Sequence, residues 1–334
     1  MFEIDVILIS LFFIYFINFF LVRYNFLLDK KFYPHKSFTN SNLVPLSGGI
    51  IITLTTLLFF QTKLIHVYLI YLIFIIGLLS DLNFLKSPLK RFILQVLTIS
   101  LLIFISKNFI TSIRIPIFDT LLNYHFFRYF FVIFCLLVLI NGSNFIDGIN
   151  TLLIGYYLII IYFIILLIEN NNIPFDVENL NIFFSILLVL YVFNFFGKIF
   201  SGDSGSYLIS LFVGYYLIKL SSLDILISPY FIASLLWYPA YECLFSIIRK
   251  KIKKYDASEA DNKHLHQLIF AFLKKRFSFD TWIINSITGI TINFFNFLFI
   301  FFSFNFFSNT KVLVLGILIY TIFYNLIYLY LVKK

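Results

Sequence analysis

The residues best suited to chemistry lie in the stretch NGSNFIDG, residues 141–148, which follows an almost unbroken apolar run. Asn141, Asn144 and Asp147 recur every three residues, so on a continuous helix they share one broad face. Two amides and a carboxylate supply oxygen ligands for a hard cation or acceptors for sugar hydroxyls. A helix end solvated at a membrane surface, with Asp147-Gly148 as its stop, explains the same residues. The stretch alone leaves both interpretations open.

A second polar stretch, SGDSGS at 201–206, flanks Asp203 with glycines and precedes another apolar run. Small residues let a backbone approach a ligand, and the amide groups at a helix start favour an anion. The only basic residue close to Asp203 in the sequence is Lys198. A helix cap with glycines for the turn explains this pattern equally well, so the loop alone is weak evidence for a site.

One acid, Asp81, ends the apolar run in GLLSDLN, residues 77–83, and three basic residues follow it. Lys86 and Lys90 are typical of anchors at a membrane surface, whereas Arg91 is a candidate partner for a phosphate. Asp81 gains nothing from burial at a membrane exit, so it is a candidate functional acid. Upstream, Lys36 is suited either to a phosphate or to lipid head groups. Gly48-Gly49 at the start of the next apolar run suits close helix packing at least as often as ligand approach.

The longest polar segment near the C-terminus contains the basic run RKKIKK and then DNKHLHQ, residues 261–267. The basic run is typical of a lipid-facing anchor. His264 and His266 are two residues apart, and this spacing predicts an extended loop that directs both rings to one ligand. A structural zinc site needs about four ligands, and no cysteine or third histidine is nearby, so zinc does not fit.

The elements that carry these motifs are predicted from composition. The chain has 334 residues, of which 61% are hydrophobic and 12% charged, whereas soluble domains are about 25% charged. Repeated apolar runs predict an all-α, polytopic integral membrane protein of a single domain. Both cysteines fall inside predicted spans, so no disulfide is expected. The first span has Glu3 and Asp5 at its start and no basic residue before it, unlike a signal peptide, and is expected to remain as an anchor. The eleven predicted spans are 4–22, 47–61, 67–80, 89–106, 128–141, 150–168, 181–196, 206–219, 228–247, 282–303 and 312–332.

Basic residues set the predicted orientation. Of the 25 Lys and Arg residues, 19 fall in alternate connections and 6 in the others. The positive-inside rule then places the N-terminus outside and the C-terminus in the cytoplasm. This distribution accounts for the net charge of +9 without nucleic acid as a partner. All the unusual polar motifs fall on the cytoplasmic side, which predicts an active site built from loops 23–46, 81–90, 141–150, 197–206 and 249–281.

One kind of chemistry unites these features. A cation such as Mg²⁺ held by oxygens, several basic residues, glycine turns and a site at the membrane surface favour phosphoryl transfer on a lipid phosphate. A transporter would require acids or broken helices at mid-membrane, whereas Asp81, Asp147 and Asp203 all lie at span ends.

At these residues the sequence resembles the polyprenyl-phosphate N-acetylhexosamine-1-phosphate transferases, glycosyltransferase family 4. NGSNFIDG matches the family's Asn-x-x-Asn-x-x-Asp-Gly motif, and GDSGS matches its Gly-Asp-x-Gly-Ser motif, with Asn194 and Lys198 upstream. The segment containing His264 and His266 resembles its histidine loop. The motifs follow the family's order from Asp29 to about Gln267. The span count and the His-x-His spacing look more like the O-antigen-type GlcNAc-1-phosphate transferases than the phospho-MurNAc-pentapeptide translocase.

The resemblance implies a multi-pass enzyme of the bacterial inner membrane. It would transfer an N-acetylhexosamine-1-phosphate from a UDP-sugar such as UDP-N-acetylglucosamine to undecaprenyl phosphate and release UMP. This would be a first membrane step in lipopolysaccharide O-antigen or cell-wall glycan synthesis. The lipid bilayer is its other partner, and a homodimer is compatible with the resemblance. A phospho-MurNAc-pentapeptide transferase-like activity, a catalytically silent relative and a polytopic transporter are the alternatives.

Motif positions assign the roles implied by the resemblance. Asn144 and Asp203 would ligate Mg²⁺, with Mn²⁺ as a substitute, on the pyrophosphate. Asp147 would contact the nucleotide or sugar, and His264 and His266 a phosphate or sugar. The predicted catalytic residues are Asp81, Asp147, Asp203, His264 and His266. The predicted substrate-binding residues are Lys36, Arg91, Asn141, Asn194, Lys198, Arg249 and Lys263.

The chain departs from the family pattern at several positions. The family usually has Asp-Asp where this chain has Ser80-Asp81, and the first acid is a proposed base for the lipid phosphate. A phosphate monoester with a second pKa near 6 is already mostly ionised at pH 7, so activity does not require that base. Four other departures, which indicate a divergent subfamily, are Phe84, Thr151, Asn262 and Gln267.

Overall fold

A computed structural model describes residues 3–29, 44–60, 65–223, 226–252 and 263–333. Within these ranges the regular structure is helical, apart from one isolated bridge between Leu28 and Pro45. The helices are α1 (Ile4–Arg23), α2 (Gly48–Phe59), α3 (Ile65–Asp81), α4 (Pro88–Ser106), α5 (Pro116–Leu122), α6 (His125–Ile146), α7 (Leu152–Asn170), α8 (Glu178–Phe195), α9 (Gly202–Leu223), α10 (Pro229–Leu235), α11 (Trp237–Ile252), α12 (Leu265–Arg276), α13 (Thr281–Asn305) and α14 (Thr310–Lys333).

The helices confirm an all-α polytopic membrane protein. In the described ranges eight of them are long and apolar enough to cross a membrane: α1, α4, α6, α7, α8, α9, α13 and α14. The pair α10 and α11 is bent by 73° and qualifies as one broken span, and α2 and α3 are shorter apolar helices. Each of the eleven predicted spans overlaps one of these elements. The number of membrane crossings and the orientation stay predictions.

Helix α9 lies at the centre of the bundle and packs against α2, α3, α6 and α7. Its residues from Ser204 to Ile218 are buried, because the helix carries small or apolar residues on every face. Outer helices such as α1 and α14 bury only four residues each and leave large apolar side chains exposed, as lipid-facing helices do. The core therefore surrounds α9, and the start of α9 is held from several sides.

Two glycines bring α2 and α3 close to the start of α9. A Cβ on Gly77 of α3 would lie 2.4 Å from Ser204 Cα, and one on Gly49 of α2 would lie 2.7 Å from Gly205 N. Only glycine permits such backbone contact. Since residues three and four positions apart share a helix face, this contact places Ser80 and Asp81 beside the first turn of α9.

Several segments predicted as loops are partly helical, and three of them carry predicted site residues. Helix α6 continues through Ile146, so Asn141 and Asn144 lie in its last turns and Asp147 is its C-cap. Helix α9 begins at Gly202, within the predicted loop 197–206. The predicted extended loop around the histidines is wrong, because α12 begins at Leu265 with His264 as its N-cap. A polar sequence at the end of a helix is compatible with helical geometry when tertiary contacts satisfy its side chains.

Candidate active site at the start of α9

The carboxylate of Asp81 caps α9. Its Oδ1 accepts from the backbone N–H of Asp203 at 2.8 Å, and its Oδ2 accepts from that of Ser204 at 3.0 Å. Gly202 adopts a φ of +70°, and a Cβ there would lie 2.6 Å from Asp81 Oδ2, so only glycine fits. The free N–H groups and dipole of a helix start attract a negative group. The predicted catalytic acid Asp81 therefore holds α9 in place with both of its oxygens.

Asp203 projects from the same turn and has different partners. Its Oδ2 accepts from the Ser80 hydroxyl at 2.6 Å and from Arg91 Nη1 at 2.9 Å. Arg91 Nη1 also lies 2.8 Å from Ser80 Oγ, so the three side chains form a closed triangle. About a quarter of each charged side chain is exposed. Helices α3, α4 and α9 thus place an acid, a hydroxyl and a guanidinium at one partly open position.

Helix α6 adds Asn144 to this position. The Ser206 hydroxyl donates to Asn144 Oδ1 at 3.1 Å and also contacts the carbonyl of Asp203 at 3.2 Å. Asn141, one turn deeper, donates to Gln95 Oε1 at 3.0 Å and to the carbonyl of Leu137. The structure therefore places Asn144 at the start of α9, while the amide of Asn141 joins α6 to α4. Asp147 is half-buried at the end of α6.

The rings of His264 and His266 lie against the end of α6. The rings of His264 and His266 stack with centroids 5.5 Å apart, and Phe145 lies 5.3 Å from His264. A Cβ on Gly148 would lie 2.9 Å from His266 Nε2, so this ring packs directly on the Asp147-Gly148 turn. Neither ring nitrogen of His266 has a hydrogen-bond partner in the described part of the chain. Burial, together with the neighbouring His264, lowers the pKa of His266 to about 3, so its imidazole is neutral at physiological pH.

Sequence reasoning missed Glu242 of α11. This fully buried carboxylate lies 3.0 Å from His264 Nδ1, accepts from Leu265 N–H at 3.2 Å and accepts from the Tyr324 hydroxyl at 2.7 Å. It fixes the orientation of the His264 ring and the start of α12. The available signal was a lone acid inside an apolar span, which is a functional candidate by default.

Some predicted substrate-binding residues have internal roles in the structure. Asn194 is buried; its amide oxygen accepts from Thr151 N–H at 2.6 Å and its amide nitrogen donates to the carbonyl of Ile199 at 2.8 Å. The first of these bonds holds the backbone of Thr151, which has a φ of +67°. Asn194 thus stabilises the turn before α7.

The remaining predicted cations lie apart from the triangle or outside the described ranges. Arg249 is buried, donates to the Tyr328 hydroxyl at 2.9 Å and bonds the carbonyl of Lys263. Lys198 is exposed and lines an apolar groove of about 1220 Å³ between α1 and α8, where Arg23 is the other cation. Lys36 lies outside the described residues. Among the predicted cations, only Arg91 contacts Asp203 in the described chain.

The carboxylate oxygen of Asp203 and the amide oxygen of Asn144 at the start of α9 are suitable ligands for a divalent cation. Asp203 Oδ1 has no donor among the described residues, and the amide oxygen of Asn144 accepts only from Ser206. Nowhere in the described ranges do three His, Cys, Asp or Glu residues gather at metal-binding distance. Mg²⁺ suits such a site, because it usually binds one or two carboxylates together with substrate phosphates rather than a complete protein cage.

The fold and the site define a polytopic helical membrane protein with a polar cluster at the ends of α3 and α6 and the starts of α4 and α9. The model of glycosyl transferase family 4 matches residues 64–221, which contain the Ser80, Asn144 and Asp203 segments but not the histidines. Over 235 residues the chain is 26% identical to undecaprenyl-phosphate alpha-N-acetylglucosaminyl 1-phosphate transferase of Thermotoga maritima, covering 70% of this chain and 71% of the relative. A probable undecaprenyl-phosphate N-acetylglucosaminyl 1-phosphate transferase of Bacillus subtilis is 23% identical over 253 residues, covering 72% of this chain and 69% of that protein.

The chain is thus similar to glycosyl transferase family 4 over residues 64–221 and to two undecaprenyl-phosphate N-acetylglucosaminyl 1-phosphate transferases over about 70% of its length.

Proposed function

We propose that this protein transfers an N-acetylhexosamine-1-phosphate from a UDP-sugar to undecaprenyl phosphate and releases UMP. Both relatives are named for transfer of N-acetylglucosamine 1-phosphate to undecaprenyl phosphate, which makes UDP-N-acetylglucosamine the first donor to test. The observation that carries the proposal is the start of α9, where Asp203, Asn144 and Arg91 lie together at a partly exposed position.

In the proposed reaction an oxygen of the lipid phosphate attacks the β-phosphorus of the UDP-sugar. A new phosphorus–oxygen bond forms, the bond from the β-phosphorus to the bridging oxygen breaks, and UMP leaves with that oxygen. Negative charge collects at this point, so positioning and electrostatic stabilisation supply most of the catalysis. Asp203 and Asn144 would hold Mg²⁺, and the bound cation would neutralise charge on the pyrophosphate.

The other residues of the site would position Asp203 and α9, offset phosphate charge and contact the substrate. Arg91 orients Asp203 and offsets the charge of the phosphates, and Asp81 keeps the start of α9 in position. The neutral ring of His266 offers a donor and an acceptor at the Asp147-Gly148 turn, where a sugar or nucleotide would bind. The concentration of Lys and Arg in alternate connections supports placement of the active site on the cytoplasmic side of the membrane. Surface-polysaccharide synthesis is the proposed pathway.

The test is a donor panel on membranes that contain the full chain. Membranes are incubated with undecaprenyl phosphate, Mg²⁺ and each of several UDP-N-acetylhexosamines, and UMP and lipid-linked sugar are quantified. We expect equal amounts of both products with one donor and their loss on chelation of Mg²⁺. Absence of Mg²⁺-dependent product with every donor would contradict the proposal.

A further inference from the structure

The donors and acceptors in the triangle of Ser80, Arg91 and Asp203 can be assigned in only one way. A guanidinium only donates and an ionised carboxylate only accepts, so Ser80 must accept from Arg91 and donate its single proton to Asp203. Arg91 also donates directly to the same oxygen, Asp203 Oδ2. A hydroxyl is the group that completes this arrangement, since it can accept and donate at once.

The triangle fixes the rotation of the Asp203 carboxylate. Both described donors act on Oδ2, and Oδ1 has none in the described chain. An ionised carboxylate at position 80 could not donate. It would set a second acceptor against Asp203 Oδ2, with Asp81 already bound to the adjacent backbone. Two carboxylates at hydrogen-bond distance repel each other unless a proton or cation lies between them.

We infer that Ser80 is a positioning residue for the proposed transfer: its hydroxyl and Arg91 fix one oxygen of Asp203 and present the other to the divalent cation. The inference rests on the proposed function for what the cation does. Groups that hydrogen-bond a metal ligand set its orientation, and their loss typically costs 10–100-fold in metal affinity or activity. The serine is then adapted to its neighbours, and an acid at this position is not required.

The experiment measures Mn²⁺ binding, as a spectroscopic substitute for Mg²⁺, by electron paramagnetic resonance on the purified full-length chain in nanodiscs. We expect Ser80→Ala to weaken Mn²⁺ binding about tenfold and to raise the Mg²⁺ concentration for half-maximal transfer by a similar factor. Ser80→Thr keeps the hydroxyl and should bind within about twofold of wild type. The matched control is Ser222→Ala, at the exposed far end of α9, where the hydroxyl bonds only the carbonyl of Lys219 among the described residues.

Thermal unfolding of each variant separates loss of positioning from loss of folding. Wild-type Mn²⁺ affinity in a folded Ser80→Ala protein would overturn the inference, while the transfer reaction would stand. A Ser80→Asp variant with much higher turnover than wild type would also overturn it, because an acid would then be the better residue. Wild-type protein that neither binds Mn²⁺ nor transfers with any donor would overturn both the inference and the proposed function.

Discussion

Asp81 and Asp203 lie at the same helix start, but their carboxylates make different contacts. Asp81 uses both oxygens on backbone N–H groups of α9, whereas Asp203 keeps one oxygen without a donor in the described chain. The first arrangement stabilises the fold, and the second leaves a ligand for a cation. The two aspartates therefore have separable roles although they lie at the same helix start.

Substitution by asparagine separates the two roles. Asp81→Asn leaves one backbone N–H facing an amide NH₂, so we expect the free energy of unfolding to fall by about 1–3 kcal/mol. Asp203→Asn removes a metal ligand and a partly exposed ion pair, so transfer should fall at least about 100-fold with little change in stability. The measurements are thermal unfolding and UMP release.

Asp280→Asn is the control for both, because Asp280 is an exposed N-cap without a side-chain cap bond. Full transfer activity in Asp203→Asn would remove Asp203 from the metal site.

The buried ring of His266 predicts how stability depends on pH. Its pKa is about 3 in the folded protein and about 6.5 when solvated. Between these values the unfolded chain binds a proton that the folded chain does not, so stability falls as the pH decreases below about 6.5. By pH 5 the loss amounts to roughly 2 kcal/mol.

The comparison is between wild type and His266→Phe, whose ring has a similar size and does not titrate. We expect the wild-type melting temperature to fall more steeply between pH 7.5 and pH 5 than that of the variant. Parallel curves would show that His266 is protonated in the folded protein or is solvent-accessible there.

At the scale of elements, the site depends on how closely α3 approaches α9. A Cβ on Gly77 would contact the backbone of Ser204, which cannot move without displacing the start of α9. We therefore expect Gly77→Ala to lower the free energy of unfolding by about 1–3 kcal/mol, as overpacking does. It should also reduce transfer, because Ser80 and Asp81 follow one turn later.

Gly316→Ala is the matched control, since a Cβ there meets the edge of the Phe302 ring, which can rotate away. Thermal unfolding and UMP release are measured on both variants. Wild-type stability and transfer in Gly77→Ala would show that the contact between α3 and α9 tolerates a methyl group.

Glu242 of α11 connects three helices. Its carboxylate contacts His264 and Leu265 at the start of α12 and Tyr324 in α14. Glu242→Gln keeps the size but loses the charge, and its amide nitrogen gains an acceptor only if the His264 ring changes tautomer or the Tyr324 hydroxyl reverses its direction. Removing the charged partner of a buried network costs about 3–5 kcal/mol. We expect a large drop in the melting temperature, measured in detergent, together with loss of transfer.

Tyr324→Phe removes one donor and leaves the other two contacts, so its melting temperature should fall by a smaller amount. A Glu242→Gln protein as stable as wild type would show that this carboxylate does not hold the histidine segment.

The features that depend on local sequence patterns, such as the apolar helices and the polar motifs, were predictable from the sequence. Apolar runs located the membrane elements because a span must satisfy its backbone internally. Motif spacing selected Asp203, Asn144 and the histidines, whose roles stay predictions. Partners distant in the sequence were not predictable. Asn194 was predicted to bind substrate, but its amide bonds Thr151 and Ile199. Arg249 was predicted to do the same, but it bonds Tyr328 and the carbonyl of Lys263. Glu242 was missed for the same reason, since its role appears only when α12 and α14 pack around α11.

At the scale of the whole molecule, the orientation prediction can be tested on one helix. The 19-to-6 distribution of Lys and Arg places the start of α14 outside and its end in the cytoplasm. Helix α14 has 24 residues, a length of about 36 Å, which exceeds the roughly 30 Å hydrocarbon core. We therefore expect its two ends to lie in different compartments, and both carry an exposed lysine, Lys311 and Lys333.

Lys311→Cys and Lys333→Cys form a matched pair for labelling with a membrane-impermeant thiol reagent. We expect Lys311→Cys to react in intact cells and Lys333→Cys only after permeabilisation. The native Cys135 and Cys243 lie within helices, Cys243 fully buried, so background labelling should be low. The reverse pattern would place the start of α9 outside the cell. Because UDP-sugars are charged and do not cross a bilayer, that result would also contradict the proposed donor.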